Sequence, residues 1–187
     1  MRDGSETNLR IRRAALALFV ARGVGAVSVR DIAEAADIQP ATLYVHWKSR
    51  EALIEDLFSS GFAAYGRRLE AVVTAGGPVA ERLAELIRTV CRLHGEDEVL
   101  FRFLLLTQHA NLPRLMCDMP NPIEMVERLL TEAHGEGLTD GDPKLLTASL
   151  VGLVVQAATF HHYGRLARSP ASLEAEITRL GLKLVLR

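Results

Sequence analysis

Apolar residues recur every three or four positions along most of the 187-residue chain, the repeat of amphipathic helices. No alternating apolar–polar run extends beyond a few residues, so strands are not expected. The first helix is predicted over about 6–22, with Ile11, Ala15, Leu18 and Phe19 on one stripe and Gly23 as its stop. A second starts at Ser28, where Ser28 and Asp31 have capping-box spacing and Val27 and Ile32 can staple the entry. A third, about 40–46, opens on Pro40, which loses nothing by lacking an N–H at a first helical position. A fourth follows Ser49 and reaches about 73, with Gly61 and Gly66 as places for a bend.

Beyond the break "TAGGP" (74–78) the pattern predicts helices over about 79–94, 97–109, 122–134, 143–166 and 171–186. The segments between them are rich in Gly, Pro, Asp and Ser, as turns require. The fold class is therefore all-α, with about nine helices. No repeat or low-complexity segment interrupts it.

Composition adds little against this. The chain is 49% hydrophobic and 24% charged, with a net charge of −1, ordinary for a soluble globular protein. Residues 1–50 carry eight Lys/Arg against five Asp/Glu, and residues 51–187 fourteen against eighteen. Any nucleic acid would prefer the N-terminal head. Cys91 and Cys117 form no CxxC pair and read as two buried thiols in a reducing cytoplasm. The N-terminus lacks the apolar core of a secretion signal. "LLTASLVGLVVQAATF" (145–160) is short for a membrane span and contains Thr, Ser and Gln, so a buried helix is expected and no membrane partner.

The stretch "SVRDIAEAADIQPATLYVHWKSREAL" (28–53) carries the chemistry. Two short helices, 28–36 and 40–46, are joined by Asp37-Ile38-Gln39, which is helix-turn-helix spacing. Ile32, Ala33, Ala36, Ile38 and Leu43 can form the small core between them. That leaves Gln39, Thr42, Tyr44, Val45 and His46 outside it, on a helix that fits a major groove. The Thr42 and Tyr44 hydroxyls suit phosphate oxygens, and Lys48 adds a cation beside the next helix start. Trp47 reads as a wedge packing the head onto the fourth helix.

Residues 23–58, with the helix before them, resemble the DNA-binding domain of TetR-family transcriptional regulators. The resemblance rests on Phe19 and Gly23, Val29-x-x-Ile32-Ala33, Thr42-Leu43-Tyr44, Trp47-Lys48 and Glu51-Ala52-Leu53. Three positions depart from the family's habit. Asp37 stands where Gly is common, Gln39 where a capping Ser is common, and Trp47 where Phe is common. The Gln39-Pro40-Ala41 opening is expected to alter which bases are read.

The resemblance implies a helix-turn-helix DNA-binding domain over 1–48 and a ligand-binding and dimerisation domain over 49–187. The candidate DNA-contacting residues are Ser28, Gln39, Pro40, Ala41, Thr42, Tyr44, Val45, His46 and Lys48. Helix 143–166 is apolar almost all round, so one side needs a partner. Helix 171–186 carries Leu173, Ile177, Leu180 and Leu184 on a single stripe. Two such helices meeting two more across a twofold axis would form a homodimer. Val151, Val155, Ala158, His162, Leu173, Ile177, Leu180 and Leu184 are its candidate interface.

The ligand would be a small apolar or amphipathic molecule. Its candidate contacts are Phe101, Phe103, Leu104, Met116, Met119, Met125, Gln156 and Phe160, an apolar set with few polar groups. Gln108, His109, His161 and His162 are further polar groups near these segments. The implied partners are a palindromic double-stranded DNA operator, a small-molecule inducer and a second copy of the chain.

Motifs for other chemistry are missing from the sequence. It holds no HExxH, GxSxG, P-loop or Glu-x-x-His, and "GVGAVS" (23–28) follows a helix rather than a strand. No enzyme activity, cofactor or metal is expected. A second reading stays open: a helical small-molecule-binding protein or enzyme whose N-terminal helical hairpin is only structural.

Overall fold

The computed structural model describes residues 2–112 and 119–187. Among these residues there are nine α-helices, one short 3-10 turn at Val24–Ala26 and no strand. The helices are α1 (Arg2–Arg22), α2 (Val29–Ala35), α3 (Pro40–His46), α4 (Arg50–Val73), α5 (Val79–Glu96), α6 (Glu98–Asn111), α7 (Pro122–Gly135), α8 (Pro143–His162) and α9 (Glu174–Val185). Their contacts divide into two compact units. Unit 1 comprises the described residues of Met1–Gly61 and Val99–Met116, and unit 2 those of Phe62–Glu98 and Cys117–Arg187.

Unit 1 contains α1–α3, the first half of α4 and nearly all of α6. Ile11, Ala15 and Phe19 of α1 are fully buried, one turn apart. Phe103 of α6 is fully buried as well and stacks on Phe19, with ring centroids 5.8 Å apart. The motif in the sequence suggested a division after residue 48, but the N-terminal unit also takes in α6 because Phe103 completes its core.

Unit 2 packs α5 against α7, α8 and α9, and α8 against α7 and α9. Leu69, Leu83, Ile87, Cys91, Leu129, Leu130, Leu150, Val154 and Ile177 belong to its core. Burial pushes the Cys91 thiol up to about 11, with Glu174 acting in the same direction. Cys117 lies outside the described residues.

Local chemistry explains the boundaries. Asn121 and Asp142 cap α7 and α8 through bonds from Ile123 N and Lys144 N, each ahead of a proline at the first helical position. The helix expected to run to 166 stops at His162. Gly164, at φ +68°, lets its own N–H reach His161 O and that of Arg165 reach Phe160 O, which closes the helix. The last helix starts at Glu174 rather than 171, because Ser169–Leu173 form turns in which Leu173 N–H bonds Ser169 O. The first begins at Arg2, earlier than expected.

α4 is one continuous helix. Gly66, rather than breaking it, makes room for a neighbour in unit 2: a Cβ there would lie 2.1 Å from the Pro120 carbonyl oxygen. α8 meets the length and composition of a membrane span, with a mean hydropathy of 1.4, yet only 22% of that window is buried within the chain. Thr147, Leu150, Val154 and Ala158 face the core, and the opposite side is open.

Candidate nucleic-acid interface

The helix-turn-helix assembles as its caps dictate. Ser28 Oγ accepts from Asp31 N at 3.2 Å, and the Asp31 carboxylate accepts from Ser28 N at 2.7 Å, forming the reciprocal box. The Ser28 side chain, the Ser28 N–H and then Arg22 hold the Asp31 carboxyl down to about 2. The turn is set by Asp37, whose φ of 52° is left-handed. Asp37 N–H bonds Glu34 O and Ile38 N–H bonds Ala33 O, the pair of bonds that ends a helix when the next residue turns left-handed. Asp tolerates this better than most side chains, so the residue standing in the usual glycine position still makes the turn.

Gln39 is the N-cap of α3 and makes no side-chain capping bond. Its amide is exposed. Ala41, Tyr44, Val45 and Lys48 are exposed too, with Tyr44 at 54% and Val45 at 80%. Pro40, Thr42 and His46 are half-buried, and Ser28 is exposed at the head of α2. Behind this face, Leu43 is fully buried and Trp47 is 7% exposed. Tyr44 and Val45 thus stand on the side of this seven-residue helix that faces away from the unit's core.

Several residues that hold this surface were not legible in the sequence. Arg50 Nε donates to Val27 O at 2.7 Å and its Nη2 to Val24 O, pinning the turn before α2 to the start of α4. Its guanidinium lies 5.8 Å from the centre of the Phe19 ring, within cation–π range. Trp47 Nε1 donates to Asp56 Oδ2 at 2.9 Å. These are tertiary contacts between residues up to 31 apart, and no local pattern marks them.

The residues expected to line one ligand cavity fall in both units. Phe101, Phe103 and Leu104 are buried in unit 1. Met119, Met125, Gln156 and Phe160 belong to unit 2, and Met116 lies outside the described residues. Met125 packs on the core of unit 2. Gln156 is exposed, and Phe160 is 47% exposed on the open side of α8. His94 is buried, its ring centroid 6.0 Å from that of His161, whose Nδ1 lies 3.0 Å from Leu166 O. Among the described residues no three His, Cys, Asp or Glu side chains gather as a metal site.

The candidate interface residues also separate. Ala158, Leu173 and Ile177 face the core of unit 2, and Val151 and Val155 are half-buried. His162 is exposed, and Leu180 and Leu184 are 46% and 48% exposed. The expected single stripe on the last helix splits because Leu173 precedes it and the buried side is centred on Ile177, Thr178, Gly181 and Val185.

Residues 11–57 match the model of a family described as bacterial regulatory proteins, tetR family. An uncharacterized HTH-type transcriptional regulator of Mycobacterium bovis is 29% identical over 163 residues, 83% of this chain and 81% of that one. The HTH-type transcriptional repressor KstR2 of Mycolicibacterium smegmatis is 37% identical over 73 residues. That match covers 38% of this chain and only 35% of the repressor's length. YvkB of Bacillus subtilis, an uncharacterized HTH-type regulator, is 38% identical over 64 residues, 34% of either chain. The fold matches solved structures throughout. A tetR-family regulatory protein from Rhodococcus RHA1 superposes with a TM-score of 0.79 at 20% identity, covering 96% of both chains. The regulator FadR of Bacillus subtilis, in complex with stearoyl-CoA, gives 0.74 at 19% identity, covering 95% of this chain and 98% of that one.

Proposed function

This chain belongs to the TetR family of transcriptional regulators, and on that basis we propose that it is a dimeric repressor released from its operator by a small apolar or amphipathic ligand. The observation that carries the DNA-binding part is the outward face of α3. Gln39, Ala41, Tyr44, Val45 and Lys48 are exposed on one side while Leu43 and Trp47 anchor the other. Such a helix enters the major groove with its first residues at base edges. Gln39 reads an adenine edge through its amide, and Tyr44 and Lys48 contact phosphate. Ser28, Pro40, Ala41, Thr42, Val45 and His46 complete the contact surface.

Dimerisation supplies the second head that a palindromic operator requires. Its support is the open apolar side of α8, where Leu145 is 66% exposed and Phe160 47%, beside exposed Leu180 and Leu184 of α9. The ligand proposal draws on FadR, which was solved with stearoyl-CoA. Phe101, Phe103, Leu104, Met116, Met119, Met125, Gln156 and Phe160 remain its candidate contacts. Phe103 has a second duty in the core of unit 1, so Phe103→Ala also destabilises that unit, by about 3–5 kcal/mol. A regulator of this kind works in the cytoplasm, without a catalytic step.

A gel shift against the DNA upstream of its own gene, across a salt series, tests the reading. Lys48→Ala and Tyr44→Ala should weaken binding to every sequence, and Lys48→Ala, which removes a cation, should also flatten the salt dependence. Gln39→Ala should change base preference instead. Unchanged affinity and salt slope in Lys48→Ala would mean that α3 docks differently. Wild-type protein without salt-sensitive DNA binding would favour a small-molecule-binding protein with a structural hairpin.

A further inference from the structure

We propose that Asp56 is a positioning residue for DNA reading, which fixes the angle of α3 by holding the Trp47 indole and the Arg12 guanidinium on one carboxylate oxygen. The inference rests on the regulator reading above. Trp47 Nε1 donates to Asp56 Oδ2 at 2.9 Å, and Arg12 Nη1 donates to the same oxygen at 2.5 Å. Arg12 Nη2 donates to Ser60 Oγ, one turn further along α4. A single atom of α4 thus ties α1 to the residue that ends α3.

That residue is well placed to control α3. Trp47 is the C-cap of the helix: its backbone N–H bonds Leu43 O at 3.0 Å and its ring is 7% exposed. α3 is only seven residues long, its N-cap makes no side-chain bond, and Leu43 is its one buried residue. A helix this short has little stability of its own and takes its orientation from its anchors. One buried leucine is a pivot. The indole held by Asp56 is a second fixed point, and two points define an axis.

The chemistry separates this task from simple stabilisation. The Asp56 side chain is 40% exposed and the Arg12 side chain 24%, so the carboxylate contributes little apolar burial to the head. Bonds to base edges demand close geometry, whereas phosphate contacts act as flexible point charges. A released indole should therefore blunt sequence reading before it weakens general attraction to DNA.

The test uses the full chain, the duplex that wild-type protein selects from a random pool, and a scrambled duplex of equal length. Asp56→Ala should reduce the ratio of specific to non-specific affinity about tenfold and leave the salt slope unchanged. Trp47→Phe keeps an aromatic ring, a smaller one, and removes the donor, so it should lose at least a comparable part. The double variant should lose no more than Asp56→Ala alone, since the indole bond that Trp47→Phe removes is already lost there. Asp56→Asn retains an acceptor for the indole and should recover part of the loss. The chain has one tryptophan, so its single indole N–H resonance reports the bond directly and should move in Asp56→Ala. A ratio within twofold of wild type in Asp56→Ala, losses that add in the double variant, or an indole resonance that stays put would each overturn the proposal. Where Asp56→Ala fails to fold, Trp47→Phe decides it by the same ratio. Wild-type protein that selects no duplex overturns the regulator reading and this inference together.

Discussion

Asp31 caps α2 only while it is charged. Its carboxyl ordinarily titrates near 3.8 and is held at about 2 in the folded head, chiefly by the Ser28 side chain and N–H. A lowered folded value means that the folded state binds the proton less readily than the unfolded chain does. The cap's contribution is complete above about 3.8 and drains away as pH falls toward 2. Melting followed at pH 6, 4, 3 and 2 should show the head weakening across the last three. Asp31→Asn should remove that part of the slope and lower the midpoint at pH 6. A slope identical in wild type and Asp31→Asn would show that the box contributes nothing. Ser28→Ala, which deletes the other half of the box, should cost about 1 kcal/mol.

Along α9 the sequence offers one apolar stripe, and the fold assigns its members to different duties. Ile177 is 4% exposed and Leu180 is 46% exposed. Ile177→Glu would place a charge in the core of unit 2 and should unfold it. Leu180→Glu should leave the monomer folded and disrupt the dimer, because a carboxylate buried at the interface without a partner costs about 3–5 kcal/mol. Sedimentation and circular dichroism together separate the two outcomes. A dimer that persists in Leu180→Glu would move the interface off this face. On α4, Gly66→Ala should destabilise unit 2 by about 1–3 kcal/mol. Its new methyl would meet the Pro120 backbone at 2.1 Å, and a backbone carbonyl cannot rotate aside as a side chain can. An unchanged urea midpoint in that variant would mean that the 119–121 segment shifts without cost.

For the molecule as a whole, regulation requires the two ligands to oppose each other. α4 contributes residues to both units, which makes it the natural carrier of any signal between effector and operator. If an effector lowers operator affinity tenfold, about 1.4 kcal/mol of coupling is involved. Operator must then lower effector affinity by the same factor, because linkage is reciprocal. Trp47 is bonded to Asp56 of α4, so its emission should respond to effector and, differently, to operator. Titrations in both orders check this. Unequal factors would show that the two molecules do not share one equilibrium, and a silent Trp47 would mean that the signal bypasses α4.

Much of the architecture was legible in the residues. The helical repeat placed nine helices, and the Ser28–Asp31 spacing, Pro40 and the 37–39 turn marked the helix-turn-helix. These features succeed because they are local: a cap, a left-handed turn and a 3.6-residue period involve atoms a few residues apart. The same locality explains the failures. Gly164 ended α8 four residues early through a backbone conformation, whereas the side chains alone would have carried the helix on. Which side of an apolar helix is buried depends on its neighbours, so Leu173 and Ile177 went inward while Leu180 and Leu184 stayed out. That Phe103 also serves the core emerged only from Phe19, 84 positions earlier in the chain and stacked against it. Arg12, Arg50 and Asp56 carry no motif at all. Their roles arise only when α1, the end of α3 and α4 are folded together, because a hydrogen bond between distant residues is written in geometry and not in the spacing of the sequence.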